Sequence, residues 1–337
     1  MRLNNTKSII VTGGCGFIGS HFIESLSKIY PHITIYNVDN FSYASSDYIN
    51  KLLDKNNYKF LREDICNASI VDSIINEINP DLIFHFAAES HVDNSIENPL
   101  NFINTNIVGT YNLLNSLVKK NSVDKKAIFH HVSTDEVYGS LNLNDESFSE
   151  NSKYSPNSPY SASKASSDLL VRAWHKTYNL PYIITNCSNN FGPRQHYEKL
   201  IPKIIHNALN KTKIPIYGDG SNIRDWLFVE DHIDALLKIH EADLINESFN
   251  IGGGIEINNL EMTSMILDIL EKKFNFDNLH SLIEFVDDRK GHDFRYSIDS
   301  STIQRLTKWR PSNNFTENLD KTVSYFVQEN DHTNRKK

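Results

Sequence analysis

The run Gly13-Gly14-Cys15-Gly16-Phe17-Ile18-Gly19 constrains this chain more than any other stretch of its 337 residues. It follows Ser8-Ile9-Ile10-Val11-Thr12, a short apolar, β-branched segment of the kind that forms a buried parallel strand. It precedes His21 to Tyr30, where Phe22, Ile23, Leu26 and Ile29 are expected on one buried helical face. A chain leaving a strand here must turn tightly, let its backbone approach a pyrophosphate and start a helix close against the sheet. The helix N-terminus then presents N–H donors and a positive dipole end to phosphates. The glycines read either as GxGxxG (Gly14, Gly16, Gly19) or as GxxGxxG (Gly13, Gly16, Gly19), and the physics is the same for both.

The pattern then repeats as strand and helix. Strands are expected over Ile33–Asp39, Tyr58–Leu61, Leu82–Phe86, Ala127–Ser133 and Tyr182–Asn186, and helices over Ile70–Ile78, Phe102–Val118 and residues 160–178. Such alternation signals an α/β fold: a Rossmann-type, doubly wound parallel sheet with helices on both faces. After about Asn189 the pattern loosens, with Pro193, Pro202, Pro215, Gly218, Gly220 and Gly252-Gly253-Gly254 punctuating shorter elements. The expectation is a Rossmann domain over residues 1–190 and a smaller C-terminal α/β substrate-binding lobe over 191–330. The boundary is soft, with strands returning to the main sheet. The tail from Gln328 has no apolar face and is expected to fray, with 331–337 disordered.

Composition excludes some classes of function. There are 34 basic and 42 acidic residues, a net charge of −8, which argues against a surface that grips nucleic acid or anionic membrane but leaves room for a local basic pocket. Three cysteines, Cys15, Cys66 and Cys187, are too few and scattered for a disulfide framework or a CxxC metal site, so no metal is expected. No apolar run is long enough to cross a membrane and residues 1–8 are polar, so the expected compartment is the cytoplasm.

Asp39 stands 20 residues after Gly19, at the end of the next strand, where a carboxylate accepts from both ribose hydroxyls of a dinucleotide. It would repel a 2′-phosphate, and Asn40-Phe41-Ser42 offers no arginine to neutralise one, so NAD is expected rather than NADP. A loop-capping acid is the plainer alternative for Asp39. Asp64-Ile65 and Phe86-Ala87-Ala88-Glu89-Ser90, each after a strand, are placed to flank the same ligand.

Two further motifs carry chemistry. In Tyr160-Ser161-Ala162-Ser163-Lys164 the tyrosine and lysine share a helix face one turn apart. An ammonium near the phenol is expected to lower its pKa from about 10 and make it a general base for an alcohol. Val132-Ser133-Thr134-Asp135-Glu136-Val137-Tyr138-Gly139 follows a parallel strand, where side chains face the cofactor crevice. Two adjacent carboxyl groups there suggest an acid and a base with separate roles, although the residues alone do not say which is which.

With these motifs in hand, the chain resembles the nucleotide-sugar dehydratases of the extended short-chain dehydrogenase/reductase superfamily, and among them the dTDP-glucose 4,6-dehydratase family. The resemblance runs from about Ser8 to Val327 and rests on VTGGCGFIGS, FAAESHVDNS, HHVSTDEVYGS, SPYSASKASSDLLVRAW, TNCSNNFGP, PIYGDGSNIRDWLFVEDH, NIGGG and DRKGHDFRY. It implies oxidation at C4, elimination of water across C5 and C6, and hydride return to C6. Thr134 and Tyr160 would act on the C4 hydroxyl with Lys164 in support, Glu136 would take the C5 proton and Asp135 would protonate the leaving O6. For NAD it implies Gly13, Gly16, Phe17, Ile18, Gly19, Asp39, Asn40, Ser42, Asp64, Ile65, Phe86, Ala87, Ala88, Ser90, Thr105, Ser133, Tyr160, Lys164 and Asn190. For the nucleotide sugar it implies Ser90, Thr134, Asn189, Glu198, Lys199, Leu200, Pro215, Ile216, Tyr217, Arg224, Asn259, Arg289 and His292, with Arg224 and Arg289 as diphosphate clamps.

Two departures from the family pattern fall in the lobe: Phe191-Gly192-Pro193-Arg194-Gln195-His196-Tyr197, and Lys290 where a proline is usual. Both are expected to bear on nucleobase choice rather than on the chemistry. A UDP-glucose dehydratase shares the same catalytic set, and a 4-epimerase would need NAD and Tyr160 but not Asp135 and Glu136. The resemblance further implies a homodimer in which the Phe102–Val118 and Tyr160–Tyr178 helices form a four-helix bundle.

Overall fold

The computed structural model of the chain describes residues 2–53, 57–120 and 127–334. Its first half alternates as the sequence suggests: β1 (Ser8–Thr12), α1 (Phe17–Ile29), β2 (Thr34–Val38), α2 (Tyr48–Leu52), β3 (Tyr58–Leu61), α3 (Ala68–Ile78) and β4 (Leu82–His85). Then come α4 (Val92–Glu97), α5 (Pro99–Phe102), a π-helical segment Ile103–Gly109, α6 (Thr110–Lys120), β5 (Ile128–Thr134), a 3-10 turn Asp135–Tyr138, α7 (Pro159–Tyr178) and β6 (Tyr182–Cys187). The remainder holds β7 (Asn189–Phe191), α8 (Leu200–Leu209), β8 (Ile214–Tyr217), β9 (Ile223–Phe228), α9 (Val229–Glu241) and β10 (Glu247–Ile251). It ends with β11 (Glu256–Asn258), α10 (Asn259–Phe274), β12 (Ile283–Val286), α11 (Ser301–Thr307) and α12 (Phe315–Asn334).

Seven strands form one parallel sheet in the order β10-β6-β5-β4-β1-β2-β3. The order reverses between β1 and β4, so the connections that follow them lead to opposite halves of the sheet and leave a crevice at their carboxyl ends, the usual ligand site of such sheets. Alternate residues serve opposite faces. Ile9, Val11 and Phe84 pack with Phe22 and Leu26 of α1 and Leu236 and Ile239 of α9. Ile10, Ile83 and Phe129 pack with Ile75 of α3, Leu117 of α6 and Val171 of α7. A separate core of Phe191, Ile204, Ile216, Phe228, Ile266 and Leu319 holds the smaller lobe, with sheets β11-β9-β7 and β12-β8. The chain re-enters the main sheet at β10, which pairs with β6.

The structure corrects the sequence reading in four places. Helix α1 starts at Phe17, directly on Gly16, so the glycine turn is shorter than expected. Ile29, expected on its buried face, is 56% exposed. The single helix expected over Phe102–Val118 is interrupted by the π segment, which turns Asn106 inward. There Asn106 Nδ2 donates to Glu89 O at 3.0 Å and to Ser163 Oγ at 2.8 Å, while its Oδ1 accepts from Glu89 N at 2.9 Å. A regular helix would lose these bonds. Finally, α12 continues through the expected frayed tail to Asn334, anchored by the buried Leu319, Val323 and Val327; residues 335–337 lie outside the described residues.

Phe84 sits at the centre of the sheet, fully buried, with ring centroids 4.1 Å from Phe22 and 4.9 Å from His130. Phe84→Ala is expected to lower unfolding free energy by about 3–5 kcal/mol in a urea titration. A loss under about 1 kcal/mol would contradict this account of the core.

Candidate active site

The glycine turn is built by close approach. Gly13 sits at φ +73°, and a Cβ on it would lie 2.5 Å from the backbone N of Ala87. A Cβ on Gly19 would lie 2.3 Å from Gly13 O. Gly14 faces the other way, toward Asn37 and Ile23. Gly13, Gly16 and Gly19 therefore face the crevice, which selects the GxxGxxG reading. The plainer reading of Asp39, a loop-capping acid, is seen directly. Its carboxylate accepts from Cys15 N at 2.9 Å, Phe41 N at 2.8 Å and Ser45 Oγ at 3.0 Å, shaping the turn, and it also lines the crevice.

Two adjoining cavities occupy the crevice. The larger, about 300 Å³, is lined by Gly13, Gly16, Phe17, Ile18, Gly19, Asp39, Asn40, Ser42, Asp64, Ile65, Phe86, Ala87, Ala88, Ser90, Thr105, Ser133, Thr134, Asp135, Tyr160, Lys164 and Asn190. The smaller, about 160 Å³, is lined by Leu200, Pro215, Ile216, Tyr217, Arg224, Asn259, Arg289 and His292. Ser90, Glu136, Asn189, Glu198 and Lys199 belong to both walls. Every site residue named from the sequence thus lies on one cavity or the other. The larger fits a dinucleotide: a glycine-lined helix N-terminus and Asp39 at one end, and at the other Asn189 Oδ1 and Gln195 Oε1, buried without a hydrogen-bond partner.

The catalytic candidates stand where the cavities meet. Thr134 ends β5, its hydroxyl donating to Asp135 Oδ1 at 3.2 Å and accepting from Glu136 N at 3.3 Å. Ser158 caps α7 through a capping box with Ser161, and Pro159 follows at the first helical position, which fixes where Tyr160 and Lys164 point. The Tyr160 phenol is hydrogen-bonded to Thr134. Contrary to expectation its pKa is pushed up, by burial first and Glu136 second. Lys164 Nζ is turned to Val132 O, at 2.9 Å, and burial brings the ammonium down to about 8.

Sequence reasoning missed what lies beneath. His131 Nε2 is 3.2 Å from Asp168 Oδ1 and 3.4 Å from Lys164 Nζ, and Asp168 Oδ2 accepts from the Tyr154 hydroxyl at 2.9 Å. Asp168 is four residues beyond Lys164 on the same helix face, a signal that was available. Burial raises Asp135 well above the carboxylate range, reinforced by Glu136 and Asp225. Burial raises Glu136 too, but Arg224 and Lys199 pull against it.

In the smaller cavity Arg224 lies 4.4 Å over the Tyr296 ring and donates to Ile223 O at 2.8 Å and Asp293 O at 3.1 Å. Arg289 lies 4.6 Å over Tyr217, with Nε 3.4 Å from Asp93. Lys199 Nζ donates to Ser90 O at 2.6 Å. Asp93, Trp226 and Tyr296 line this cavity without having been singled out, since isolated aromatic and acidic residues carry no spacing signal. The two departures do not reach it: Lys290 is exposed, and Arg194 points to Glu24.

Residues 10–322 match the family model described as GDP-mannose 4,6 dehydratase. The dTDP-glucose 4,6-dehydratase of Neisseria gonorrhoeae is 44% identical, with 97% of each chain covered, and that of Haemophilus influenzae is 46% identical over 95% of this chain and 98% of its own. The solved dTDP-glucose 4,6-dehydratase of Streptomyces venezuelae, crystallised with NAD, superposes with a TM-score of 0.87 at 40% identity, covering 95% of this chain and 97% of its own. The chain belongs to the dTDP-glucose 4,6-dehydratase family.

Asp225 gives a test of the buried acids. It is 1% exposed, and burial raises its pKa from 3.8 to about 7. The folded state therefore holds a proton that the unfolded chain releases, so stability falls as pH climbs from about 4 to 7, by at most about 1.4 kcal/mol per unit. Asp225→Asn is expected to flatten that slope, measured by urea unfolding across the range; an unchanged slope would remove Asp225 from the account.

Proposed function

We infer that this chain dehydrates dTDP-glucose to dTDP-4-keto-6-deoxyglucose and water, with NAD as a cofactor that is regenerated in each turnover. The observation that carries the reading is the position of Glu136, on the wall shared by a dinucleotide-shaped cavity and an arginine-lined one, with Asp135, Thr134 and Tyr160 beside it. NAD supplies a hydride acceptor at C4 and returns the same hydride at C6. Tyr160, hydrogen-bonded to Thr134, takes the O4 proton, with Lys164 close by on the same helix. The resulting 4-ketone makes the C5 proton acidic, and Glu136 removes it. Asp135 protonates O6 as it leaves, and after hydride reaches C6 a proton is returned to C5, which completes the 4-keto-6-deoxy product. The electrostatics favour that order of roles: Asp135 sits among carboxylates and keeps its proton, whereas Glu136 faces cations that favour its charged form.

Residues 1–190 mainly hold NAD and the catalytic groups, while 191–330 mainly close over the nucleotide sugar, with Lys199, Arg224 and Arg289 near its diphosphate. The chain works as a homodimer: Leu100, Ile103, Tyr111 and Leu169 are exposed on α5, the π segment, α6 and α7, an apolar surface suited to a second copy. Among the described residues no helix is long and apolar enough to cross a membrane, in keeping with a cytoplasmic enzyme.

Incubation with dTDP-glucose is expected to yield the 4-keto-6-deoxy product by NMR, faster than with UDP-glucose; dTDP-galactose as sole product would indicate epimerisation instead. Tyr160→Phe is expected to cut turnover by about 10²–10⁴-fold while NAD stays bound, and near-normal turnover would sink its assignment as the base. Glu136→Gln is expected to allow oxidation at C4 but to abolish solvent deuterium incorporation at C5. Undiminished incorporation would assign the C5 proton to another group.

A further inference from the structure

Pro193–Lys199 leads from β7 to α8 along the larger cavity, which Gln195, His196, Glu198 and Lys199 line. Its backbone passes through the left-handed region at Arg194, φ +69°, where a non-glycine residue persists only if its surroundings hold it. The Arg194 side chain does the holding. It is 8% exposed and reaches away from the cavity, donating from Nη1 to Glu24 Oε2 at 2.7 Å and lying 4.3 Å over the Tyr48 ring. Glu24 is on α1, whose N-terminus carries Gly19, and Tyr48 opens α2 just after the turn that Asp39 shapes. Beside this tie, His21 Nε2 of α1 lies 2.9 Å from Pro193 O.

A second tie runs from the opposite side of the segment. Tyr43, in the same Asp39-shaped turn, stands edge-on to His196 at 5.5 Å and donates from its hydroxyl to Glu198 at 3.3 Å. Between the ties, Gln195 Nε2 donates to Asn190 O at 2.8 Å, and Oε1 is the buried, unpartnered acceptor at the cavity. A ligand in the cavity therefore meets both the glycine turn that starts α1 and a segment fastened to α1 and α2.

We propose that Arg194 is a positioning residue that, through Glu24 and Tyr48, straps Pro193–Lys199 over the cofactor cavity and sets how long NAD stays bound, without touching the reacting atoms. The proposal rests on the reading of that cavity as the NAD site and extends it to residence time. Release requires the strap to open, so weakening the tie raises the open fraction and the release rate together. A part-buried, charge-assisted pair has enough free energy to matter here, unlike a pair on the open surface.

The test loads the holoenzyme with labelled NAD and chases it with excess unlabelled NAD. Arg194→Leu and Glu24→Gln, each removing one end of the tie, are expected to release label at least about tenfold faster, with kcat at saturating NAD within about twofold of wild type. The double exchange Glu24→Arg with Arg194→Glu re-forms an ion pair of opposite sense and is expected to slow release again, which a merely destabilising pair of changes would not do. Should Arg194→Leu fail to fold, Glu24→Gln tests the same contact. Release at the wild-type rate in the single variants overturns the proposal, as does a fall in kcat with release unchanged. A wild-type protein that never retains label overturns the cofactor reading itself, and that control tells the two failures apart.

Discussion

The closeness of the glycine turn to the end of β4 is the constraint on which the rest of the molecule depends. No Cβ fits between Gly13 and the backbone of Ala87, and the chain leaves the two strands that meet there toward opposite halves of the sheet. The parting of the connections beyond them opens the crevice and sets the N-terminus of α1 against it, while β4 stays paired in register with β1 and β5. The lobe after β6 is then placed by what returns to the sheet: α9 packs on the same core as α1, and β10 pairs with β6.

Within the crevice, charge is sorted by burial. Lys164, His131 and Asp168 form a dry group behind the phenol, where a lysine close to neutral pKa is balanced by a buried carboxylate rather than by water. Asp135, Glu136 and Asp225 form a second group in which burial raises all three carboxyls, with Glu136 and Asp225 raising Asp135 further. Between the two stand Tyr160 and Thr134, and the Thr134 hydroxyl donates to Asp135 of the second group. Small changes of position here shift proton affinities strongly, because so little water screens them.

Much of this was legible before any coordinates. The strand–glycine–helix unit, Asp39, the Tyr160–Lys164 pair and the Thr134-Asp135-Glu136 triplet all owe their placement to local periodicity and strand ends, which sequence carries directly. What escaped depends on contacts across long separations. Asn106 is held by Glu89 and Ser163, His131 by Asp168, and Arg194 by Glu24, and nothing in the spacing of these residues announces the partner. The direction of the phenol pKa was misjudged for a similar reason: helix spacing brings Lys164 near Tyr160, but the depth of both below the surface, and the nearness of Glu136, are tertiary facts.

The π segment Ile103–Gly109 has a consequence for chain length rather than for chemistry. A π turn takes up one residue more than a regular turn. Removing a single residue from it would restore an ordinary helix and leave the flanking turns close to their present alignment. The widened turn that places Asn106 against the Glu89 backbone and Ser163 would be gone, and those bonds with it. Substitutions on this stretch change one contact each. A one-residue deletion would free the 86–90 segment that Asn106 holds through Glu89, so the residue count here is more tightly constrained than most of its side chains.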